Sequence, residues 1–231
     1  MGERSLVIPR PSVRSLTAAV DVALLTPRDR RLAVLLLRGD VRARDRWLLP
    51  WDAPRHDETP DETALRVSRS VLGEAPAALD QIGTFGDGRR HPGDAQLSIS
   101  FFGLVPQGAA SESLDGAAWV EVDQLPLLAP RHRAVAEAAV SAVRQRIDQA
   151  PLAFRLLPQS FTLSDLQSVY ELLLGRSLHK ASFRRALQAA FLVEATDEWR
   201  SEGRGRPAQL FRYAPRRKRG TRRGVRFDLI A

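Results

Sequence analysis

The sequence predicts an α/β protein in two parts, with a mixed sheet covered by helices over 1–150 and a small helix–turn–helix module closed by a hairpin over 151–215. Three observations predict it. Short apolar strand-like runs alternate with helical patterns through the first 150 residues. Gln149-Ala150-Pro151 breaks a long amphipathic helix. Beyond that break two helical patterns are followed by two strand patterns, and a basic tail runs over 216–231.

Each element has a local reason. AAVDVALL (18–25) and LAVLLLR (32–38) flank the polar TPRDRR, the pattern of a buried hairpin. WLLP (47–50) is a short strand ended by Pro50, which has no amide to donate. Residues 60–72 read as helix: Thr59 caps it, Pro60 takes the first position, Asp61 and Glu62 suit its positive end, and Gly73 closes it. Strand patterns return at QIGTFGD (81–87), QLSISFFGLV (96–105) and AAWVEV (117–122). Leu97, Ile99 and Phe101 alternate with polar neighbours, as on a half-buried strand. An amphipathic helix follows from about Arg131 to Asp148.

In the second part LSDLQSVYELLL (163–174) is a helix opened by Thr162 and closed by Gly175, and HKASFRRALQAAF (179–191) is a second after a short turn. LVEATDEW (192–199) and AQLFRYA (208–214) are strands around the loop RSEGRGRP. That order is the layout of a winged helix.

Composition narrows function. The absence of cysteine excludes disulfides, a thiolate metal site and a catalytic thiol. No apolar run reaches the roughly 18–20 residues that span a bilayer, and MGERSLVIPRPSVRS lacks an apolar signal core, so a cytoplasmic protein with no membrane partner is expected. The net charge of +8 is uneven: residues 151–231 hold 16 Lys and Arg against 7 Asp and Glu, whereas 1–150 hold 19 against 20. A basic module joined to a near-neutral one points to a polyanion partner. The bland alternative is a solvated tail, since RRKRGTRR (216–223) supplies much of the excess. The histidines at 56, 91, 132 and 179 show no metal-ligand spacing, and none is assigned as a ligand.

WLLPWDAPRHDETPDETALRVSRSVLG (47–73) resembles the Nudix diphosphate-hydrolase signature, with its arginine on Arg66, its early glutamate on Glu58 and its last glycine on Gly73. The opening glycine falls on Asp52, and the three helix glutamates fall on Val67, Ser70 and Val71. In that family the glutamates hold magnesium, which needs hard oxygen ligands, against a diphosphate. Valine offers none, so the resemblance implies the fold without metal-dependent hydrolysis: no catalytic residue and no metal. TFGDGRRHPGDAQLSISFFGLVP (84–106) resembles a subgroup that handles ADP-ribose-like compounds.

The second part, with FTLSDLQ, FRRAL and GRGRPA, closely resembles the Nudix-related transcriptional regulators of NAD metabolism (NrtR-type repressors), and the likeness runs from about Leu16 to Tyr213. It implies a homodimer on palindromic double-stranded operator DNA, an ADP-ribose-like effector and no other cofactor. The positions matching the ligand pocket are Arg38, Glu58 and Arg66. The resemblance implies that Phe85 would border the nucleotide and that Arg55, in the altered Trp51-Asp52 loop, would neutralise diphosphate. On the DNA side Lys180, Ser182, Arg184, Arg185 and Gln188 lie on the second helix, which would enter the major groove. Ser160 and Thr162 would meet phosphates, and Arg204 and Arg206 in GRGRPA would form a wing hook, the alternative being an ordinary hairpin turn. Other readings stay open: Arg66 as a structural ion pair, Thr162 as a mere cap, and Phe183, Leu187 and Phe191 as core with solvated arginines between them. The rival function is a nucleotide-diphosphate hydrolase localised on nucleic acid by its basic part.

Overall fold

The computed structural model describes residues 16–39, 47–106, 109, 116–147, 150–201 and 207–214. Strands β1 (Ala18–Arg28) and β2 (Arg31–Arg38) form the expected antiparallel hairpin, turning at Asp29 and Arg30, both with positive φ. Two short strands, β3 (Trp47–Leu48) and β4 (Trp51–Asp52), pair with β2 and β1. After helix α1 (Pro60–Leu72) come β5 (Ala78–Phe85), β6 (Leu97–Leu104) and β7 (Ala117–Glu121). The main path through the sheet is β3-β2-β1-β6-β5, with β7 also on β2, and β1 runs parallel to β6 while every other pair is antiparallel.

Alternation along β1 sorts the two faces of the sheet. Val20, Val22 and Leu24 pack with Phe101, Ala64 and Val67 beneath α1. Ala23 and Leu25 pack with Phe102 and Leu104 toward helix α2 (Pro130–Arg146). The half-buried reading of β6 fails here. Ser98 and Ser100 are fully buried, whereas Leu97 and Ile99 are only partly so. β6 lies between β1 and β5 with both faces covered, so its polar residues go inward as well.

The α2-side core continues without a break into the second part. A short helix, α3 (Leu152–Arg155), which the sequence pattern missed, follows the α2 break. Then come α4 (Leu163–Leu174), α5 (Lys180–Ala190) and the antiparallel pair β8 (Val193–Arg200) and β9 (Ala208–Tyr213). Phe161 adds a bridge to Phe211, exchanging both backbone hydrogen bonds. Side chains of α4 set the turn to α5: Glu171 accepts the Leu178 amide at 2.7 Å, and Gln167 donates to the Leu178 carbonyl at 3.0 Å. Phe191 does not join the core. It sits in the left-handed cap of α5 and is 46% exposed.

Candidate functional site

Helix α1 is built as its sequence dictates. Thr59 and Glu62 make a reciprocal capping box, Pro60 occupies the first turn, and Gly73 closes the helix with φ of 80°. From its second turn Arg66 reaches back to the preceding loop. Its Nε donates to Glu58 Oε1 at 2.7 Å and its Nη2 to Glu58 Oε2 at 2.8 Å, while Nη1 donates to Asp52 at 2.6 Å and Nη2 to the Ala53 carbonyl at 3.2 Å. Glu58 also accepts the Arg55 amide at 3.0 Å. The Arg66 guanidinium, and then the Arg55 amide, hold the Glu58 carboxyl down at about 2, and Arg66 likewise lowers Asp52. The alternative noted from sequence is therefore realised: Arg66 pins the 52–58 loop to the helix.

The residues present do not fit a magnesium ion on this helix. Val67 is buried against Val20, Val22 and Phe101, and Val71 packs on the same cluster. Ser70 turns its hydroxyl back to the Val67 carbonyl at 2.8 Å. Glu58, the remaining carboxylate of the signature, is taken up by Arg66 and the Arg55 amide. Neither valine offers an oxygen ligand, and one carboxylate alone cannot organise an octahedral ion.

The other ligand candidates are placed as follows. Arg38 is exposed, its guanidinium 5.4 Å from the Trp47 ring. Arg55 is exposed on the loop that Arg66 pins. Phe85 ends β5, and its carbonyl accepts from Arg131 at 2.6 Å. Arg131 is itself a buried arginine at the start of α2. It also donates to the Arg89 carbonyl, and its own amide bonds the Arg90 carbonyl, so the 85–90 loop is tied to α2. Asp87, held low by the Arg89 amide, lies 3.6 Å from Arg131.

The sequence reading missed one cluster. Asp21, His91 and His132 meet, fully buried, between β1, the loop before β6 and α2. His91 Nε2 and His132 Nε2 lie 3.0 and 3.5 Å from Asp21 Oδ1 and 3.2 Å from each other. The histidines are 41 residues apart, and the pairing of β1 with β6 together with the packing of α2 on the 85–90 loop brings the cluster together, so spacing carried no signal. The inward-facing serines of β6 were the one trace of a polar interior on this face.

The second part carries a different surface. On α5, Phe183 and Leu187 are buried, while Lys180, Arg184, Arg185 and Gln188 are exposed. The spacing of 180, 184 and 188 sets them in one stripe along the helix. Ser182 is partly buried, its hydroxyl 3.2 Å from His179 Nδ1. Thr162 is buried and its hydroxyl accepts the Asp165 amide as the α4 cap, the alternative noted from the sequence. Ser160 lies two residues before that cap and is partly buried. Arg200 grips Asp165 through Nη2, at 2.9 and 2.8 Å, which ties β8 to the start of α4. Burial pushes the Asp165 carboxyl up, but Arg200 and Thr162 outweigh it and lower it. Arg204, Arg206 and the 216–231 tail lie outside the described residues.

Known proteins share this organisation. Residues 153–213 match the family model for the NrtR DNA-binding winged helix domain. The chain is 30% identical over 203 residues to the ADPR responsive transcriptional repressor NtrR of Acinetobacter baylyi, covering 84% of this chain and 81% of that one. Shewanella oneidensis NrtR, solved with a 27mer DNA, matches at 30% identity with a TM-score of 0.73, over 86% of this chain and 94% of that one. A MutT/nudix family protein from Enterococcus faecalis, 18% identical with a TM-score of 0.69 over 87% and 89% of the two chains, shares the fold.

Proposed function

The chain belongs to the NrtR family of transcriptional repressors, and from that premise we propose that it binds operator DNA under the control of an ADP-ribose-like nucleotide that it does not cleave. The observation that carries the effector half is helix α1. Its Nudix fold is kept, while the positions that would hold metal are a core valine, a self-bonded serine and a second packed valine. A nucleotide held there persists, and persistence suits a sensor. The Acinetobacter baylyi relative is named for repression and for a response to ADPR, which supports the same reading.

On the DNA half, the exposed stripe of Lys180, Arg184 and Gln188, with Arg185 beside it, is the surface that enters a major groove, and arginine bonds guanine with two hydrogen bonds. A homodimer would set two such helices on the halves of a palindrome. Genes of NAD metabolism are the expected targets, and the cytoplasm the expected site of action.

Calorimetry with a nucleotide panel, beside a salt-controlled gel shift on the protein's own promoter region, tests the proposal. ADP-ribose is expected to bind and to change the shift, with no AMP released in the presence of magnesium. Specific DNA binding that no nucleotide alters would remove the sensor. Magnesium-dependent cleavage of ADP-ribose, abolished by Glu58→Gln, would make the protein a hydrolase.

A further inference from the structure

We propose that Asp21, His91 and His132 form a buried latch that takes up one proton, and that this uptake loosens the 49–52 segment that helps anchor Arg66.

The argument begins with the ring atoms facing away from Asp21. His132 Nδ1 accepts the Leu49 amide at 3.0 Å, and His91 Nδ1 accepts the Gly93 amide at 3.0 Å. A neutral imidazole has one N–H, and an Nδ1 that accepts cannot carry it. Both rings therefore hold their hydrogen on Nε2, both Nε2 atoms converge on Asp21 Oδ1, and their own 3.2 Å approach is that of two donors sharing one acceptor, not a hydrogen bond. Burial by itself would raise the Asp21 carboxyl, but the two imidazoles outweigh it and keep it below the usual range. The resting cluster is one carboxylate held between two neutral N–H donors, wholly out of solvent.

Separations of 3.0 to 3.5 Å among three ligand atoms also suit the edges of a tetrahedral zinc site. Chemistry decides against that reading. A metal needs both Nε2 lone pairs, which moves each hydrogen to Nδ1 and points it at a backbone N–H. The two amides that fix the tautomers close the site to metal. A second proton on an imidazole is the change that remains.

That proton lands on Nδ1 and sets two donors face to face, so the Leu49 or the Gly93 amide must give way. Both lead to Trp51. Leu49 stands two residues before it on the chain, and Gly93 backs its ring so closely that an added Cβ would fall 2.1 Å from Trp51 Cη2. His91 itself packs edge-on against the Trp51 ring at 4.7 Å. Asp52 follows Trp51 and carries one of the Arg66 contacts.

Among the described residues, the charged groups near the rings include Asp21 and Arg131. Asp21 comes from β1 and meets both imidazoles. Arg131 precedes His132 on α2, but its guanidinium turns to the Phe85 and Arg89 carbonyls and toward Asp87. Trp51 on β4 and Ser98 and Ser100 on β6 add no charge. Ser100 Oγ and Asp21 Oδ2 have no hydrogen-bond partner, and the two residues face each other across the β1–β6 register.

The test uses the full chain, with 5-fluorotryptophan for ¹⁹F NMR, the Trp51 resonance assigned by Trp51→Phe, and ¹⁵N-labelled histidine. Both rings should carry Nε2–H at about pH 8. As pH falls toward about 5, the range in which histidine changes charge, the Trp51 resonance should shift. Leu49 and Gly93 amide exchange, corrected for its intrinsic pH dependence, should rise together by about tenfold. His91→Gln with His132→Gln should flatten the response. Should that variant fail to fold, the wild-type tautomers and exchange rates still decide. Nδ1–H tautomers would overturn the latch, as would a Trp51 resonance indifferent to imidazole titration. So would zinc ions that raise the melting temperature and erase the Nε2–H signals. Control of effector affinity by the latch rests on the function proposed above. ADP-ribose affinity is therefore measured separately, and a protein that binds no nucleotide leaves the ¹⁹F titration standing.

Discussion

Arg66 meets Glu58 through two parallel hydrogen bonds, Nε to Oε1 at 2.7 Å and Nη2 to Oε2 at 2.8 Å. These two residues survive from a signature whose other acids are gone, and their contact explains why. A fork matched to a carboxylate fixes both position and angle, so the pair holds the 52–58 loop against α1 whether or not the helix does chemistry.

That pair predicts an acid sensitivity. The Glu58 carboxyl lies at about 2 in the folded chain against an ordinary 4.5. Its contribution is therefore complete above pH 4.5 and is lost as pH falls from there toward about 2. Glu58→Gln should lower the melting temperature at neutral pH, and the gap to wild type should close as pH falls through that window. Melting curves of both proteins at a series of pH values check this, and a gap independent of pH would deny the ion pair its role.

The helix should resist restoration of its lost acids, unequally. Val67→Glu buries a carboxylate among Val20, Val22 and Phe101 and is expected to cost about 2–4 kcal/mol in urea unfolding. Ser70→Glu places its charge on an exposed position and should stay within about 0.5 kcal/mol of wild type. Neither variant alone should gain magnesium-dependent hydrolysis.

Much of the fold could be read because its punctuation is local. Thr59, Pro60 and Gly73 bracket α1, and Thr162 and Gly175 bracket α4, with the same residues at the same ends in the structure. The site was less legible because its contacts are not local. Glu58 and Arg66 stand out through the resemblance to the Nudix signature, but the tautomers of His91 and His132 depend on amides at 93 and 49, in separate loops. Alternation misled on β6 because it reports which residues differ, not which side is dry. With α2 over one face and α1 over the other, Ser98 and Ser100 became interior. Phe191 failed for the reverse reason, since an apolar residue at a helix cap follows the cap geometry and not the helical stripe.

On α5 the expected effects are on binding and not on stability. Arg184→Ala and Arg185→Ala remove exposed side chains, so melting temperatures should hold. For an arginine that bonds a guanine edge, operator affinity should fall by about 1–3 kcal/mol and discrimination at that base should relax. For one that holds a phosphate, affinity should fall evenly across sequences and the salt dependence should shallow. Fluorescence anisotropy on operator and scrambled duplexes at several salt concentrations separates the two roles. No loss in either variant would take α5 out of the groove.

Asp165 tests how the wing is held to the helix pair. It caps α4 by accepting the Thr162 amide at 2.8 Å, and it accepts from Arg200 of β8 through both oxygens. Asp165→Asn keeps an acceptor for the cap but drops the charge that Arg200 grips, whereas Asp165→Ala loses both. The alanine variant should be the less stable by about 1 kcal/mol, the worth of the lost capping-box hydrogen bond to the Thr162 amide. Both variants should weaken DNA binding if the Asp165–Arg200 pair sets the angle at which β8 and β9 leave α4. Because the Asp165 carboxyl is lowered in the folded protein, its support is present above its unfolded value and fades as pH falls below it. The asparagine variant should lack that fading. If asparagine and alanine weaken DNA binding equally while differing in stability, the ion pair orients the wing. If only alanine weakens it, the cap alone does the positioning and Arg200 is a passenger.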